Sequence, residues 1–225
     1  MAKILCIETS GETCSIALFN GDELIGALSD DAPFSHSSKL TVLIEEILLK
    51  NNCVPDLVAV SCGPGSYTGL RIGVTTAKGL AYGYSIPLVS IDTMKLMAQG
   101  FLNSTKINDG DVIVPMIDAR RMEVFATAFD YRLQSLMSPK ALILDESSFM
   151  ELNSSSTTHF IGTGAAKANG VLKLSDSRYY VEEGKPQAKF MGKMARDKMI
   201  NKDFENVAYF EPDYMKEFYF HAPKS

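Results

Sequence analysis

Ser61-Cys62-Gly63-Pro64-Gly65-Ser66-Tyr67-Thr68-Gly69-Leu70-Arg71 ends one kind of structure and opens another. Upstream, Leu57 to Cys62 is a continuous apolar run, the pattern of a strand buried on both faces of a parallel sheet. Downstream, Tyr67 to about Tyr82 carries helical spacing, with Ser66 placed as the N-cap. The first N–H groups of a helix are unpaired and can cradle an anion. No Gly-Lys-Ser/Thr follows, so this is not a Walker A loop. Taken alone, the segment reads as a tight turn from strand to helix.

Working outward, Lys3–Ile7, Ser15–Asn20 and Glu23–Ser29 read as an antiparallel meander, with Asn20-Gly21-Asp22 as a hairpin turn. His36–Lys50 reads as a helix with Leu40, Leu43, Ile44, Ile47 and Leu48 on one face and Ser35 or Ser37 as cap. Ile86–Ile91 is the next strand, and Asp92 or Thr93 caps a helix through Gln99. The order β-β-β-α-β-α-β-α is that of an α/β fold with a mixed sheet. Polar Asn103–Asp111 reads as a boundary, which divides the chain into residues 1–102 and 103–225, with the C-terminal segment free to pack back on the first part. In the second part, Val112–Ile117, Glu123–Asp130, Ala141–Leu144 and His159–Gly162 read as strands, Ser147–Leu152 as a short helix and Gln187–Ile200 as a longer one. Both halves open strand–turn–strand, as a duplicated fold would.

The helix after the Gly-Pro-Gly turn has a second pattern. Gly69, Gly73, Ala77 and Ala81 recur every four residues and form a smooth ridge against which another helix can lie closely. Two helix-interior glycines cost about 1 kcal/mol each relative to alanine, so close packing must compensate. That packing is either within the same domain or between chains. Val42 and Leu49 widen the apolar surface of the preceding helix beyond the single stripe a sheet-covering helix needs. On the between-chain reading the interface comprises Leu40, Leu43, Ile47, Tyr67, Gly69, Leu70, Gly73, Ala77 and Ala81, and Gly73→Leu breaks pairing with little loss of fold.

Other segments suit a polar cleft. Thr9 and Ser10 sit in a strand–turn–strand whose hydroxyls and N–H groups suit phosphate oxygens, although such residues fill most hairpin turns. Gly63 and Gly65 flank the turn described above. Asp118 and Arg120 belong to Asp118-Ala119-Arg120-Arg121-Met122-Glu123, read either as a solvated loop or as a cleft-facing polar set. Gly162-Thr163-Gly164 resembles a second phosphate loop. His36, His159 and His221 share no metal-binding spacing and read as surface or turn residues. No Ser-His-Asp set can be argued. Cys6, Cys14, Cys53 and Cys62 lack CxxC spacing and read as free thiols. Net charge is −5, with 22 basic against 27 acidic residues, so independent binding of a polyanion such as tRNA is not expected. No apolar run is long enough to span a bilayer, and the apolar start meets Glu8, unlike a signal peptide; a cytoplasmic location is the expectation.

Together these segments resemble the TsaB (YeaZ) family. Ile4-Leu5-Cys6-Ile7-Glu8-Thr9-Ser10 and Cys14-Ser15-Ile16-Ala17-Leu18 resemble its opening strand pair, and Gly63–Gly73 its signature loop and helix. Asp118–Phe125 resembles its mid-chain motif, and Pro212-Asp213-Tyr214-Met215-Lys216 its C-terminal Pro-x-Tyr-Leu-Arg. The family usually opens Asp-Thr-Ser where this chain has Glu8-Thr9-Ser10. The resemblance implies an actin/Hsp70-like (ASKHA) fold of two related subdomains, the second reduced. It implies a non-catalytic partner of the transferase TsaD in tRNA threonylcarbamoyladenosine modification. Homodimers and TsaD pairs would form through the first two helices, with TsaE joining and tRNA held only in the assembled complex. TsaD carries an HxxxH metal motif; here His36-Ser37-Ser38-Lys39-Leu40 has Leu40 in the second position. No metal, cofactor or catalytic residue of its own is therefore expected. The alternatives are a nucleotide-binding transferase or metalloenzyme of the same fold, with ATP at Thr9, Ser10 and Gly162–Gly164, and a peptidase, which no dyad or zinc motif supports.

Overall fold

The computed structural model describes residues 1–32, 35–152, 157–173, 179–182 and 184–216, with 179–182 as backbone alone. Strands β1 (Lys3–Glu8), β2 (Cys14–Asn20), β3 (Glu23–Asp30), β4 (Leu57–Gly63) and β5 (Leu88–Asp92) form one sheet in the order β3-β2-β1-β4-β5. The first three are antiparallel, with Lys3 opposite Asn20 and Glu8 opposite Ser15; β4 and β5 add in parallel.

Side chains alternate across a strand, and here both faces are buried. Leu5, Ile7, Ile16, Leu18, Val58 and Val60 meet α1 (His36–Lys50) and α2 (Tyr67–Tyr84). Ile4, Cys6, Ala17, Phe19, Leu57 and Ala59 meet Leu96 of α3 (Thr93–Ser104), together with Ala188, Met191 and Ala195. A one-residue slip would exchange the two sets, so the register is tightly specified. Ser66 caps α2 by accepting from the Gly69 N–H (3.2 Å), and Asp92 caps α3 by accepting from the Lys95 N–H (2.7 Å). Ser35 precedes α1 but makes no capping bond; its hydroxyl donates to Asp30 instead (2.8 Å).

The second sheet contains β6 (Val112–Asp118), β7 (Glu123–Phe129), β8 (Ser135–Ile143), β9 (Thr158–Ile161) and β10 (Tyr179–Glu182), in the order β10-β9-β6-β7-β8. Read from the other edge, it repeats the first sheet: an antiparallel meander joined through its first strand to two parallel strands. This is an α/β fold of two related subdomains with mixed sheets, the actin/Hsp70-like layout. Met94, Met97, Ala98 and Phe101 of α3 pack on Ile113, Phe129 and Ile161, so α3 lies between the sheets. Helix α4 (Gly192–Asn201) comes from the second half of the sequence but covers β1 and β5 of the first sheet. The division at 102/103 follows chain order; in space, residues 188–210 lie against the first subdomain, where Glu205 N–H bonds Leu88 O (2.8 Å).

Several local expectations are corrected. β8 extends well before Ala141: it is an edge strand, mostly exposed and interrupted by Pro139, so its apolar signal is weak. Residues 147–152 form turns, with Phe149 at φ 66°, rather than a helix. The expected helix from Gln187 is a 3-10 turn, Ala188–Phe190, followed by α4. His36 and His159 are buried: the His36 Nε2 lies 3.1 Å from Gly11 O, and the His159 ring rests on Phe101 with centroids 5.2 Å apart. His221 lies outside the described residues. No described helix is long and apolar enough to cross a membrane.

Candidate functional site

The Thr9–Ser10 turn is closed by its own chain. Thr9 is fully buried and its hydroxyl donates to Gly69 O (2.8 Å). Ser66 N–H donates to Ser10 O (2.7 Å). A Cβ on Gly65 would fall 2.5 Å from Ser10 O; one on Gly69 would strike Thr9 O, and one on Gly73 the Thr9 hydroxyl. The small residues at the start of α2 are thus the seat of this turn. Thr9 and Gly65 face each other's element rather than a ligand, which corrects the expectation of phosphate-facing positions. Gly63 is corrected too. It stands at φ 116°, and a side chain there would occupy the place of Asp213 O.

Beneath the turn, Ser10 donates to Glu8 Oε1 from both its N–H and its hydroxyl (2.5 Å each). Burial pushes the Glu8 carboxyl up, against the pull of these bonds. Burial likewise lifts the Cys14 thiol to about 11 and the Cys62 thiol to about 12, so neither is a ready nucleophile.

The cleft between the subdomains is lined by Ser10, Thr13, Thr93, Met97, Ile117 and Thr163. Its volume of about 40 Å³ admits a few waters, far below the hundreds of Å³ of ordinary ligand pockets. Of the expected cleft residues, Ser10 lines it and the second glycine loop contributes Thr163. Gly162 packs against Met97 and Met116, and Gly164 donates to Met116 O (2.9 Å), so both serve packing instead. Asp118 and Arg120 sit exposed at the β6–β7 turn. Partial burial works upward on the Asp118 carboxyl, but the Lys167 ammonium 2.7 Å away and the Arg120 N–H hold it below its ordinary value.

The helical face also needs correction. Leu40, Ile47, Gly69, Leu70, Gly73, Ala77 and Ala81 are all buried within the chain, and only Leu43 and Tyr67 among the nine expected interface residues reach solvent. A four-residue spacing identifies a ridge but not its direction, and here the sheet and the Thr9 turn take it. The outward face of the α1–α2 layer carries other residues: Val42 (53% exposed), Leu49 (72%), Tyr82 (82%), Thr75, Gly79 and Gly83. Among the described residues, a Cβ at Gly79 or Gly83 would meet nothing within 4 Å.

The C-terminal motif, whose location sequence reasoning left open, is a strap across both subdomains. Asp213 N–H donates to Cys62 O (2.7 Å) at the end of β4. The Tyr214 ring packs on Tyr67 of α2 with centroids 4.7 Å apart. Met215 enters the core between α3 and the second sheet, and Lys216 pairs with Glu123 beside Phe125 of β7.

Known proteins with this fold point in one direction. The family model described as TsaD, tRNA N6-adenosine threonylcarbamoyltransferase, matches residues 26–218. The tRNA threonylcarbamoyladenosine biosynthesis protein TsaB of Escherichia coli K12 is 36% identical over 126 residues, 55% of this chain and 53% of that protein. TsaB of Bacillus subtilis 168 is 36% identical over 132 residues, 57% and 56%. The chain spans about half the length of these curated relatives. The structure of YeaZ from Pseudomonas aeruginosa superposes with a TM-score of 0.82 at 20% identity, covering 95% of this chain and 100% of that one, which shows the shared fold. The chain belongs to the family described by that model, TsaD, tRNA N6-adenosine threonylcarbamoyltransferase, and is homologous within it to the TsaB (YeaZ) proteins.

Proposed function

We propose that this chain is a non-catalytic partner in tRNA threonylcarbamoyladenosine biosynthesis. It docks through the outward face of α1 and α2 onto the catalytic sibling TsaD, and onto a second copy of itself when TsaD is absent. TsaE joins the assembled pair, and tRNA is engaged only there. The names of the E. coli and B. subtilis relatives support the pathway.

The observation that carries the docking face is the pair Gly79 and Gly83. Each costs α2 about 1 kcal/mol relative to alanine, and neither has a neighbour among the described residues that would require it. They lie on a face that also exposes Val42, Leu49 and Tyr82. Small residues there let a partner helix approach closely. The closed Thr9–Ser10 turn and the small cleft support a role without nucleotide chemistry of its own.

The test is size-exclusion chromatography with light scattering on the chain alone and mixed with its cognate TsaD, with tRNA modification assayed on the same fractions. A complex that carries the modifying activity supports the reading. A chain that stays apart from a TsaD that works without it refutes it.

A further inference from the structure

A groove lies on the side of α3 away from the docking face, between α3 and residues 184–190. Its lining includes Phe101, Ser104, Lys185, Gln187, Lys189 and Phe190, and its volume is about 290 Å³, large enough for a mononucleotide unit. Gly100 makes room for it: a Cβ there would fall 2.8 Å from the Phe190 ring, so glycine lets Phe190 seat against α3. Lys189 Nζ stands 5.0 Å from the centre of that ring. Lys185 and Lys189 are exposed and have no carboxylate partner among the described residues.

The rim of the groove is cationic in a chain whose net charge is −5: Lys185 and Lys189 are the charged residues of its lining, with no acid among them. The basic residues that follow on α4 are already paired, Lys193 with Asp197, Arg196 with Asp22 and Lys198 with Asp203. Cations at a rim, an amide and a hydroxyl between them, and aromatic rings beside them are the elements that hold an unpaired nucleotide: phosphate on lysine, base on an apolar surface.

We propose that this groove binds a single-stranded nucleotide segment of the RNA substrate, with Lys185 and Lys189 on its phosphates. The proposal deepens the reading above, since it assigns part of the RNA contact of the assembled complex to this chain. Two lysines give weak binding alone, which fits an RNA held only in the assembly.

The test uses two double variants that remove equal charge. Lys185→Gln/Lys189→Gln empties the groove rim; Lys140→Gln/Lys173→Gln removes two exposed lysines from the second subdomain. Unmodified tRNA is titrated by fluorescence anisotropy against the chain alone at low salt and against its complex with TsaD over a salt series. Complex formation is measured separately by light scattering. The proposal predicts that the groove variant still assembles with TsaD, binds tRNA roughly tenfold more weakly, and flattens the slope of log K against log salt by about 1.4, two single-strand phosphate contacts. The control variant should match the wild type. Equal behaviour of the two variants, whether both weaken or neither does, overturns the proposal. So does saturable binding of AMP or ATP with the same lysine dependence and no tRNA effect, which would make the ligand a free nucleotide. Failure to assemble with TsaD refutes the docking reading instead, and the titrations on the chain alone still decide the groove.

Discussion

The Thr9 side chain fills the space that a β-carbon on Gly73 would need, while its hydroxyl donates to the Gly69 carbonyl 2.8 Å away. The glycine ridge of α2 is therefore a seat for the first turn of the chain, and its substitution is a folding event. Gly73→Leu should destabilise the free chain by several kcal/mol, since even modest overpacking of a fitted core costs about 1–3 kcal/mol. Thr9→Val should cost about 1 kcal/mol for the lost hydrogen bond. Urea unfolding followed by circular dichroism measures both; a Gly73→Leu chain as stable as the wild type would contradict this packing.

Gly79 and Gly83 should respond in the opposite sense. Their would-be β-carbons meet no described residue within 4 Å, so alanine at either position relieves an unfavourable helix residue without a clash. Each of Gly79→Ala and Gly83→Ala should raise the stability of the free chain by about 0.4–1 kcal/mol. A drop in melting temperature for either would mean that the outward face is packed after all.

Gly63 controls the strap. Alanine there would meet the carbonyl of Asp213 at a backbone φ of 116°, a conformation that costs a non-glycine residue about 1–3 kcal/mol. Gly63→Ala should release residues 213–216 before the rest of the fold. Hydrogen exchange at the Asp213 N–H, bonded to Cys62 O, should accelerate at least tenfold while the amides of β1 stay protected. Uniform protection in the variant would show that the strap is held elsewhere.

Glu8 makes stability fall as pH rises. Burial lifts its carboxyl above the ordinary value of about 4.5, so the folded chain holds this proton to higher pH than the unfolded one does. That contribution to stability is complete below the ordinary value and is lost as pH climbs toward the raised one. Glu8→Gln keeps an oxygen for Ser10 and carries no such proton. Its stability relative to the wild type should therefore improve between pH 5 and pH 8. A difference that stays flat with pH would mean Glu8 is ionised in the fold at little cost.

Much of the fold was legible because the first sheet is buried on both faces and its helices carry clean periodicity. The limits of α1 agree at both ends, His36 and Lys50, and the meander, β4 and the start of α2 lie where apolar runs and turn residues put them. Legibility failed where burial stopped marking the chain. β8 is a solvated edge strand containing Pro139, and β10 is a short edge strand. The direction of the α2 ridge was misread for a different reason. Gly69 and Gly73 announce close approach, but periodicity does not say which neighbour approaches, and the Thr9 turn is some 60 residues away in sequence. Gly79 and Gly83 had no apolar pattern to draw attention to them. The position of Pro212–Lys216 depended on a long-range return to Cys62 and Gly63 that no local signal reports.

Docking through α1 and α2 is decided by the affinity for cognate TsaD, measured by isothermal titration calorimetry, of Gly79→Leu and Leu49→Asp chains. Both positions are exposed. Leucine is a better helix residue than glycine, so Gly79→Leu should unfold at or above the wild-type temperature, while Leu49→Asp, an acid in the last turn of α1, should lose about 1 kcal/mol and stay folded. If α1 and α2 dock TsaD, each variant binds it at least tenfold more weakly, with tRNA modification falling in step. Wild-type affinity in both variants, with the fold intact, would contradict docking through the outward face of α1 and α2.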